Sequence, residues 1–423
     1  MVVLESLDKK EQYVFSILLG LVSITSMISS QLNVIIIGGF ILYGMKLIYF
    51  DSNKILLKRI FSNNFLIFSL LIFALHIIGL LYSTDVNSGL KTIETRFSIL
   101  LWPLILSFFY ITRKNIEITF KVFILFTISI SIVSHIDTFI RFINTPSHHN
   151  DILNFYFSHW YIHNGLVQLV NFEPQYFGLY LVLSNVFLLH FLFNSNDILI
   201  KRILIAVLIY QSLFIFQLSA RNAILSNFVL ILFSLFYLPS KTRTRLTVIV
   251  LVIGGISVMG FIMRGPTSRL VSRFEQIFES KETRISRWES TLKIVQRNIL
   301  WGTGTGSSEK KLVEQYNKDN LTYSATEKYN THNQYLDFLL KFGLLGFIIF
   351  LFYLYYLLKT AIRNKDFVYV GILIVVLLSF ITENIFTRQI GIVPVLLFIS
   401  LIHYSSEDHL INNIINETNN PEP

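Results

Sequence analysis

Long apolar runs alternate with short polar connections along almost the whole chain, and this pattern predicts the fold. The runs lie near residues 13–30, 32–50, 65–82, 97–112, 118–143, 174–193, 200–218, 221–238, 246–263, 335–358, 367–384 and 388–404. A membrane-spanning helix needs about 20 mostly apolar residues, and in lipid a helix closes its own backbone hydrogen bonds. The runs do not show the two-residue alternation of β-strands. The pattern predicts an all-α polytopic membrane protein with about twelve transmembrane helices.

The composition excludes a string of soluble domains. Of the 423 residues, 53% are hydrophobic and 14% are charged, whereas a soluble domain carries about 25% charged residues. The formal net charge is +9, but the basic residues are scattered over short connections and do not form the stripe typical of nucleic-acid binding. The absence of cysteine excludes disulfides and thiolate metal sites.

The distribution of Lys and Arg predicts the orientation in the membrane. With the N-terminus inside, the cytoplasmic segments hold about fifteen basic residues and the opposite short loops and helix ends about five. Both termini are therefore expected in the cytoplasm, and the first run is interpreted as a retained helix because no signal-peptide cleavage pattern follows it. The predicted organisation is nine helices in 1–263, an outer loop at 264–334, three helices in 335–404 and a cytoplasmic tail at 405–423.

The outer loop at 264–334 is rich in arginine. Its segment 281–300 is predicted to be an amphipathic helix with one apolar face formed by Ile285, Trp288, Leu292, Val295 and Ile299. Six arginines occur in the loop: Arg264, Arg269, Arg273, Arg284, Arg287 and Arg297. They form either an ordinary solvated charged face or an outward-facing cluster suited to an anionic ligand such as a lipid diphosphate.

A further arginine, Arg221, follows Ser219 and Ala220 at the predicted outer end of a span. One interpretation is an interfacial side chain that extends to the lipid headgroups. The other is a fixed guanidinium that pairs with phosphate oxygens, since its planar fork matches their geometry. Arg221 alone does not decide between the two.

Three glycines, Gly302, Gly304 and Gly306, alternate with threonine within the outer loop. Neither a preceding strand nor a following Lys-Ser/Thr supports a dinucleotide site or a P-loop. The glycines indicate either a compact turn or a backbone nest that binds phosphate.

His332 stands where the chain re-enters the membrane. Its imidazole is either a hydrogen-bonded structural group or the acceptor of a hydroxyl proton, a role that suits histidine near neutral pH. Gly343 and Gly346 follow on much the same helix face and are expected to permit close helix packing.

The histidines of the other long outer segment are not expected to form a metal site. His159 and His163 have the i,i+4 spacing of zinc ligands on a helix, but neither Cys nor a convincing carboxylate completes the set. The histidines concerned are His148, His149, His159 and His163.

Four elements together resemble the O-antigen ligase family, within the larger group of O-antigen ligases and polymerases. The most specific is His332-Asn333, followed after nine residues by Gly343 and after two more by Gly346. The others are Ser219-Ala220-Arg221, the stretch from Glu173 to Phe177, and Arg284 with Trp288 followed by Gly302, Gly304 and Gly306. The resemblance extends from about Glu173 to Arg388.

The resemblance implies a C-type glycosyltransferase-like fold in a bacterial inner membrane. It implies transfer of a glycan, at the periplasmic face, from a polyprenyl (undecaprenyl) diphosphate carrier to a hydroxyl acceptor. The acceptor is a lipid A-core sugar for a ligase and another glycan unit for a polymerase. His332 is then the catalytic base, and Arg221, Arg284 and Arg287 bind the diphosphate, without cofactor or metal.

The competing class is a non-enzymatic carrier such as a polysaccharide flippase. Transporters often have internal repeats and broken helices with charges at the membrane midplane. Here the conspicuous charges lie at one predicted face and in one long outer loop, which favours chemistry at the membrane surface.

Overall fold

The computed structural model describes residues 9–50, 63–109, 111–145, 161–237 and 283–419, and this part of the chain is helical without strands. The α-helices are α1 (Lys9–Ile28), α2 (Ser30–Phe50), α3 (Asn64–Leu81), α4 (Val86–Arg96), α5 (Ser98–Ser107), α6 (Arg113–Ile143), α7 (Pro174–Asn194), α8 (Ile198–Gln217), α9 (Arg221–Tyr237), α10 (Arg284–Arg297), α11 (Ser308–Lys318), α12 (Thr322–Thr326), α13 (Gln334–Arg363), α14 (Phe367–Thr382) and α15 (Gln389–Asn419). The ninth predicted span, near 246–263, lies outside the described residues, as do Arg264, Arg269 and Arg273.

The helices are those of a membrane protein. Within the described residues, α3, α6, α7, α8 and α13 are long and apolar enough to cross a membrane. Shorter apolar stretches occur at Tyr13–Ile28, Gln31–Tyr43, Arg221–Leu235, Phe367–Thr382 and Gln389–Ser405. The all-α fold class is thereby confirmed, while the count of twelve spans and the orientation stay predictions.

The predicted span near 97–112 has a different structure. The helical path begins earlier, at the polar helix α4, whose N-cap Asp85 accepts a hydrogen bond from the Ser88 amide. Phe97 keeps helical angles (φ −54°, ψ −28°) and leads into α5, which has only 10 residues and is almost entirely buried. A helix this short does not cross the hydrocarbon layer alone. The apolarity of this run reflects burial in protein.

The membrane helix α13 is broken at Gly343. The φ of 61° and ψ of −162° at this residue are not helical, and they separate a first part, 334–342, from a second part, 344–363. The first part carries the motif that starts at His332, and the second is long enough to span the bilayer by itself. Gly343 was expected to serve close helix packing, whereas its positive φ shows that it also serves the break.

A segment of the preceding loop, 299–304, supplies the backbone hydrogen bonds that the break removes. Unpaired backbone groups are costly in an apolar environment, so a break at this point needs such partners. The bonds are Thr303 N to Leu340 O (2.8 Å), Gly304 N to Lys341 O (2.9 Å) and Leu344 N to Ile299 O (2.7 Å). The loop and the broken helix are thus joined through their backbones.

The chain forms two compact units. The first comprises residues 1–123, 284–373 and 380–423, and the second comprises 124–283 and 374–379. In the first unit, α10, α11 and α12 close a small hydrophobic core over the first part of α13. Its buried members are Ile294, Val295, Leu312, Tyr316, Leu321, Ala325 and Leu340.

Candidate functional site

The backbone around His332 is held in a specific conformation in the first unit. His332 has a positive φ of 46°, and its amide donates to the side-chain oxygen of Asn330 at 2.9 Å. On one side, the Thr331 hydroxyl oxygen accepts from the Asn384 amide group at 3.0 Å. On the other side, Asn333 caps α13 by accepting from the Leu336 amide at 3.0 Å. These contacts fix the direction in which the imidazole leaves the backbone.

A buried carboxylate, Glu383, joins the predicted base to a predicted diphosphate ligand. Its Oε1 accepts from Arg284 Nη2 at 2.7 Å, and its Oε2 lies 3.2 Å from His332 Nδ1. Two hydrogen bonds and one carboxylate span at most about 8 Å, so the guanidinium and the imidazole are neighbours. The structure therefore brings His332 and Arg284 together, although the 47 residues between them in the sequence do not force this.

The geometry leaves one imidazole nitrogen available. When Nδ1–H donates to the Glu383 carboxylate, Nε2 carries the lone pair of a neutral imidazole. No described residue is hydrogen-bonded to Nε2, and the side chain is 21% exposed. A histidine oriented by a carboxylate in this way is suited to accept a proton from a bound hydroxyl.

Arg284 and Arg287 differ in their surroundings. The Arg284 side chain is 36% exposed, so its guanidinium is open to a ligand. Arg287 is buried, and its guanidinium lies over the Tyr329 ring, 5.0 Å from the ring centre. Tyr329 in turn packs edge-on against His332 with 5.5 Å between ring centres. A hydrogen bond with Tyr323, followed by burial, raises the pKa of the Tyr329 phenol, so this hydroxyl is protonated at neutral pH.

Trp288 links the arginine helix α10 to the histidine segment. Its indole Nε1 donates to the Thr331 carbonyl oxygen at 2.9 Å. This places Arg284, one turn earlier on the same helix, next to His332. Because Arg284 and Trp288 lie one turn apart on α10, the contact made by Trp288 also positions Arg284.

A second group of buried polar residues packs next to the site and connects the first part of α13 to the turn after Glu383. Gln334 accepts from the Phe386 amide at 2.9 Å and donates to Asp337 at 3.3 Å, which ties the turn after Glu383 to α13. Asp337 also pairs with Arg96 at 3.1 Å and with Lys341 at 2.7 Å, all three side chains being buried. A buried ion pair adds little net stability but fixes geometry when fully paired.

Sequence reasoning missed Glu383, Arg96 and Asp337. A signal was present, because Glu383 stands inside the predicted span 367–384 and Asp337 inside the span 335–358. Ionisable residues within apolar spans are rare and mark functional or buried positions. This signal would have identified Glu383 as a candidate site residue.

The glycine segment forms a compact turn with its amides occupied. Beyond the bonds from Thr303 and Gly304 to α13, the Thr305 amide donates to the Gly79 carbonyl at 3.1 Å and the Gly306 amide donates to Ser83 Oγ at 2.9 Å. These amides are therefore not free to bind phosphate. The structure supports the compact turn, and the alternative of a phosphate nest does not hold.

Alanine at Gly302 or Gly306 is expected to destabilise the protein strongly. Gly302 has φ 72°, and a Cβ there would lie 2.5 Å from the Lys341 carbonyl oxygen; a Cβ at Gly306 would overlap the Asp85 carbonyl oxygen. Strained left-handed backbone alone costs about 1–3 kcal/mol. Thermal unfolding in detergent should show a lowered midpoint for both variants. Gly38→Ala is the matched control, since nothing lies within 4 Å of its Cβ, and an equal effect in all three would contradict the explanation.

Arg221 lies in the second unit as the first residue of α9. The turn before it contains Ser219, with φ 53°, and His163 Nδ1 lies 3.2 Å from the Leu218 carbonyl oxygen. His163 thus holds the turn that precedes Arg221. The convergence of Arg221 with His332 and Arg284 stays a prediction, because these residues belong to different units.

The described residues contain no group of three His, Asp or Glu side chains placed to hold a metal ion. Three histidines of the second long outer segment, His148, His149 and His159, lie outside the described part of the chain.

The fold and the site define a helical membrane protein with a histidine, a carboxylate and an arginine assembled where helices end. The family model described as O-antigen ligase matches residues 205–351, about a third of the chain. The matched residues include Arg221, Arg284, Arg287, Gly302, Gly304, Gly306, His332, Asn333, Gly343 and Gly346. This segment is similar to the O-antigen ligase family, which confirms the resemblance and supports an enzymatic activity of the ligase and polymerase group. Glu383 and the stretch from Glu173 to Phe177 lie outside the match, and no curated protein matches the chain.

Proposed function

We propose that the protein is an O-antigen ligase-type glycosyltransferase of the bacterial inner membrane. It transfers a glycan from a polyprenyl (undecaprenyl) diphosphate carrier to a hydroxyl of lipid A-core at the periplasmic face. The observation that carries this proposal is the Glu383 carboxylate, which pairs with both the exposed Arg284 and the oriented His332. Arg284 and His332 lie inside the matched family segment, and Glu383 lies beyond its end.

In the proposed reaction, Arg284 and Arg221 bind the diphosphate of the donor by charge-assisted hydrogen bonds. His332 Nε2 accepts the proton of the acceptor hydroxyl while the hydroxyl oxygen attacks the anomeric carbon of the donor glycan. The bond between that carbon and the diphosphate oxygen breaks, and polyprenyl diphosphate leaves with the electron pair. The guanidinium groups stabilise the negative charge that develops on the leaving group.

Glu383 acts as a positioning residue in this scheme. Before the donor binds, its carboxylate neutralises Arg284; once Arg284 contacts phosphate, the carboxylate still pairs with His332. After proton transfer it stabilises the imidazolium, because opposite charges at hydrogen-bond distance attract strongly in a partly buried site.

A polymerase that uses the same donor is the closest alternative. Deletion of the gene separates the two on a gel of lipopolysaccharide: a ligase mutant loses the whole glycan ladder, and a polymerase mutant retains a single-repeat band. Loss of the ladder with the donor retained on the inner leaflet would instead indicate the flippase.

The donor site is tested by Arg221→Lys and Arg284→Lys. Lysine keeps the charge but loses the bidentate fork, and a lost charge-assisted hydrogen bond costs about 1.5–3 kcal/mol, or about 10- to 100-fold. Initial-rate assays with purified protein should show this loss in kcat/KM for the donor. Arg113→Lys is the control, since that side chain is 68% exposed and pairs with Glu117. Unchanged rates in both site variants would indicate that these arginines are interfacial side chains that do not bind the donor.

The orientation is tested by reporter fusions at Lys311 and at the C-terminus. The proposed site requires Lys311 outside, while the distribution of basic residues requires the C-terminus inside. The two fusions should therefore report opposite sides of the membrane. Finding both on one side would exclude this orientation.

A further inference from the structure

The turn that ends the short helix α12 holds two tyrosines against each other. The Tyr329 amide donates to the Ser324 carbonyl oxygen at 3.0 Å. The Lys328 amide donates to the Ala325 carbonyl oxygen at 3.3 Å, and Lys328 has a positive φ of 50°. This is the pattern of a Schellman motif, in which the second residue beyond the helix cap packs on the last turn of the helix. Here the Tyr329 ring packs edge-on against the Tyr323 ring, with 5.7 Å between ring centres.

Tyr323 combines a fixed ring with a large exposed surface. Its side chain is 59% exposed. Its ring is held by the edge-on contact with Tyr329, and its hydroxyl group is hydrogen-bonded to the Tyr329 phenol. A tyrosine fixed in this way offers a rigid, amphipathic contact surface at little cost in conformational entropy. Such a surface is suited to bind a ligand that has both apolar and polar groups.

Tyr329 links this exposed ring to the candidate site. The other neighbour of Tyr329 is His332, with 5.5 Å between ring centres, so a single ring separates Tyr323 from the proposed base. The guanidinium on this side belongs to Arg287, which is buried against the Tyr329 ring. The accessible guanidinium of Arg284 instead reaches His332 through the Glu383 carboxylate. The tyrosines therefore suit a neutral ligand better than a diphosphate.

We infer that Tyr323 and Tyr329 form a subsite for a sugar of the acceptor, an inference that rests on the proposed function. A pyranose ring has an apolar face of C–H groups and a rim of hydroxyl groups. The C–H groups carry a partial positive charge and pack on the negative face of an aromatic ring. The exposed side chains of Thr322, Glu327 and Lys328 flank the tyrosines in sequence and supply hydrogen-bond donors and acceptors for the rim.

The position of the subsite assigns it to the acceptor and not to the donor. In the proposed reaction, the donor diphosphate lies at Arg284, and the acceptor hydroxyl lies at His332 Nε2. The subsite is reached from His332 through Tyr329, so a sugar on Tyr323 is the neighbour of the sugar that delivers its hydroxyl. The inference therefore requires an acceptor with at least two linked sugars, the second of which presents a C–H face.

The test compares two acceptors, the lipid A-core of the source bacterium and a synthetic lipid that carries only the terminal core sugar. For Tyr323→Ala, we expect KM for lipid A-core to rise about ten-fold. KM for the short acceptor, KM for the donor and kcat should change less than about two-fold. Tyr323→Phe retains the ring and should stay within about three-fold of the wild type. Tyr355→Ala is the matched control, since it removes a tyrosine that is also 59% exposed, on α13.

Equal rises in KM for both acceptors, or a rise in KM for the donor, would overturn the inference, because Tyr323 would then act on the fold or on the donor. Unchanged kinetics of Tyr323→Ala would overturn it as well.

A second measurement does not depend on turnover. A fluorinated tyrosine at position 323 should change its fluorine NMR signal when lipid A-core is added to the protein, and not when donor is added. Absence of this change in folded protein would contradict the inference. If the signal changes but wild-type protein transfers no glycan to lipid A-core, the subsite is supported and the proposed reaction fails.

Discussion

Replacement of His332 by alanine is expected to lower kcat by about 10²–10⁴-fold, the usual contribution of a general base. The imidazole is the only described group that combines an oriented Nδ1, held 3.2 Å from Glu383, with an open Nε2. Alanine leaves in place the hydrogen bond from the residue 332 amide to Asn330 and the one between the Thr331 hydroxyl and Asn384, so the helices should fold normally. Single-turnover assays with purified, monodisperse protein measure this effect.

The control for this prediction is His190→Ala, on α7 in the second unit, which should retain wild-type activity. The variant His332→Gln separates proton transfer from orientation of the acceptor. Loss of the acidic limb of the pH–rate profile in His332→Gln indicates a base, and an unchanged limb indicates orientation only. Full activity of His332→Ala would remove the proposed mechanism.

The second large effect is expected for Glu383→Gln. Glutamine keeps the shape of the side chain but removes the charge that holds both Arg284 and His332, so the imidazole loses its orientation and its stabilisation when protonated. We expect kcat to fall about 10²-fold or more, as for other carboxylates behind a catalytic histidine. KM for the donor should not rise, because Arg284 is released to bind phosphate. Steady-state kinetics with varied donor give both constants.

Glu289→Gln is the matched control for Glu383→Gln, since Glu289 is exposed on α10 close to Arg284 in sequence. Glu383→Asp retains the charge on a shorter side chain and should recover part of the activity. A purely structural role of Glu383 would lower the unfolding midpoint and leave the ratio of kcat to KM in the folded fraction unchanged.

The sequence predicted the class of fold and much of the site for a clear physical reason. Apolar runs identify membrane helices without tertiary information, and the spacing of His332, Gly343 and Gly346 is local. Arg284 and Trp288 could be placed on one helix for the same reason. The features that were predicted from the sequence are therefore those that depend on residues close together in the chain.

The remaining features depend on contacts between distant segments. Hydropathy cannot distinguish burial in protein from exposure to lipid, so it did not indicate that the run near 97–112 contains a buried helix of only 10 residues. The pairing of Glu383 with His332 joins the end of α14 to the start of α13, and no local pattern specifies it. Likewise, the partition of the α10 residues into Val295 inside and Ile285 outside follows from the core formed with α11 and α12.

The break at Gly343 couples the loop segment 299–304 to the membrane helix α13. In an unbroken helix, the carbonyls of Leu340 and Lys341 would accept from amides four residues later, whereas here they accept from Thr303 and Gly304. The amides of Thr303 and Gly304 thus stand where amides of the helix itself would otherwise donate. The loop segment is therefore part of the hydrogen-bond ladder of the helix, and a substitution that displaces residues 299–304 should also disturb the helix at Gly343.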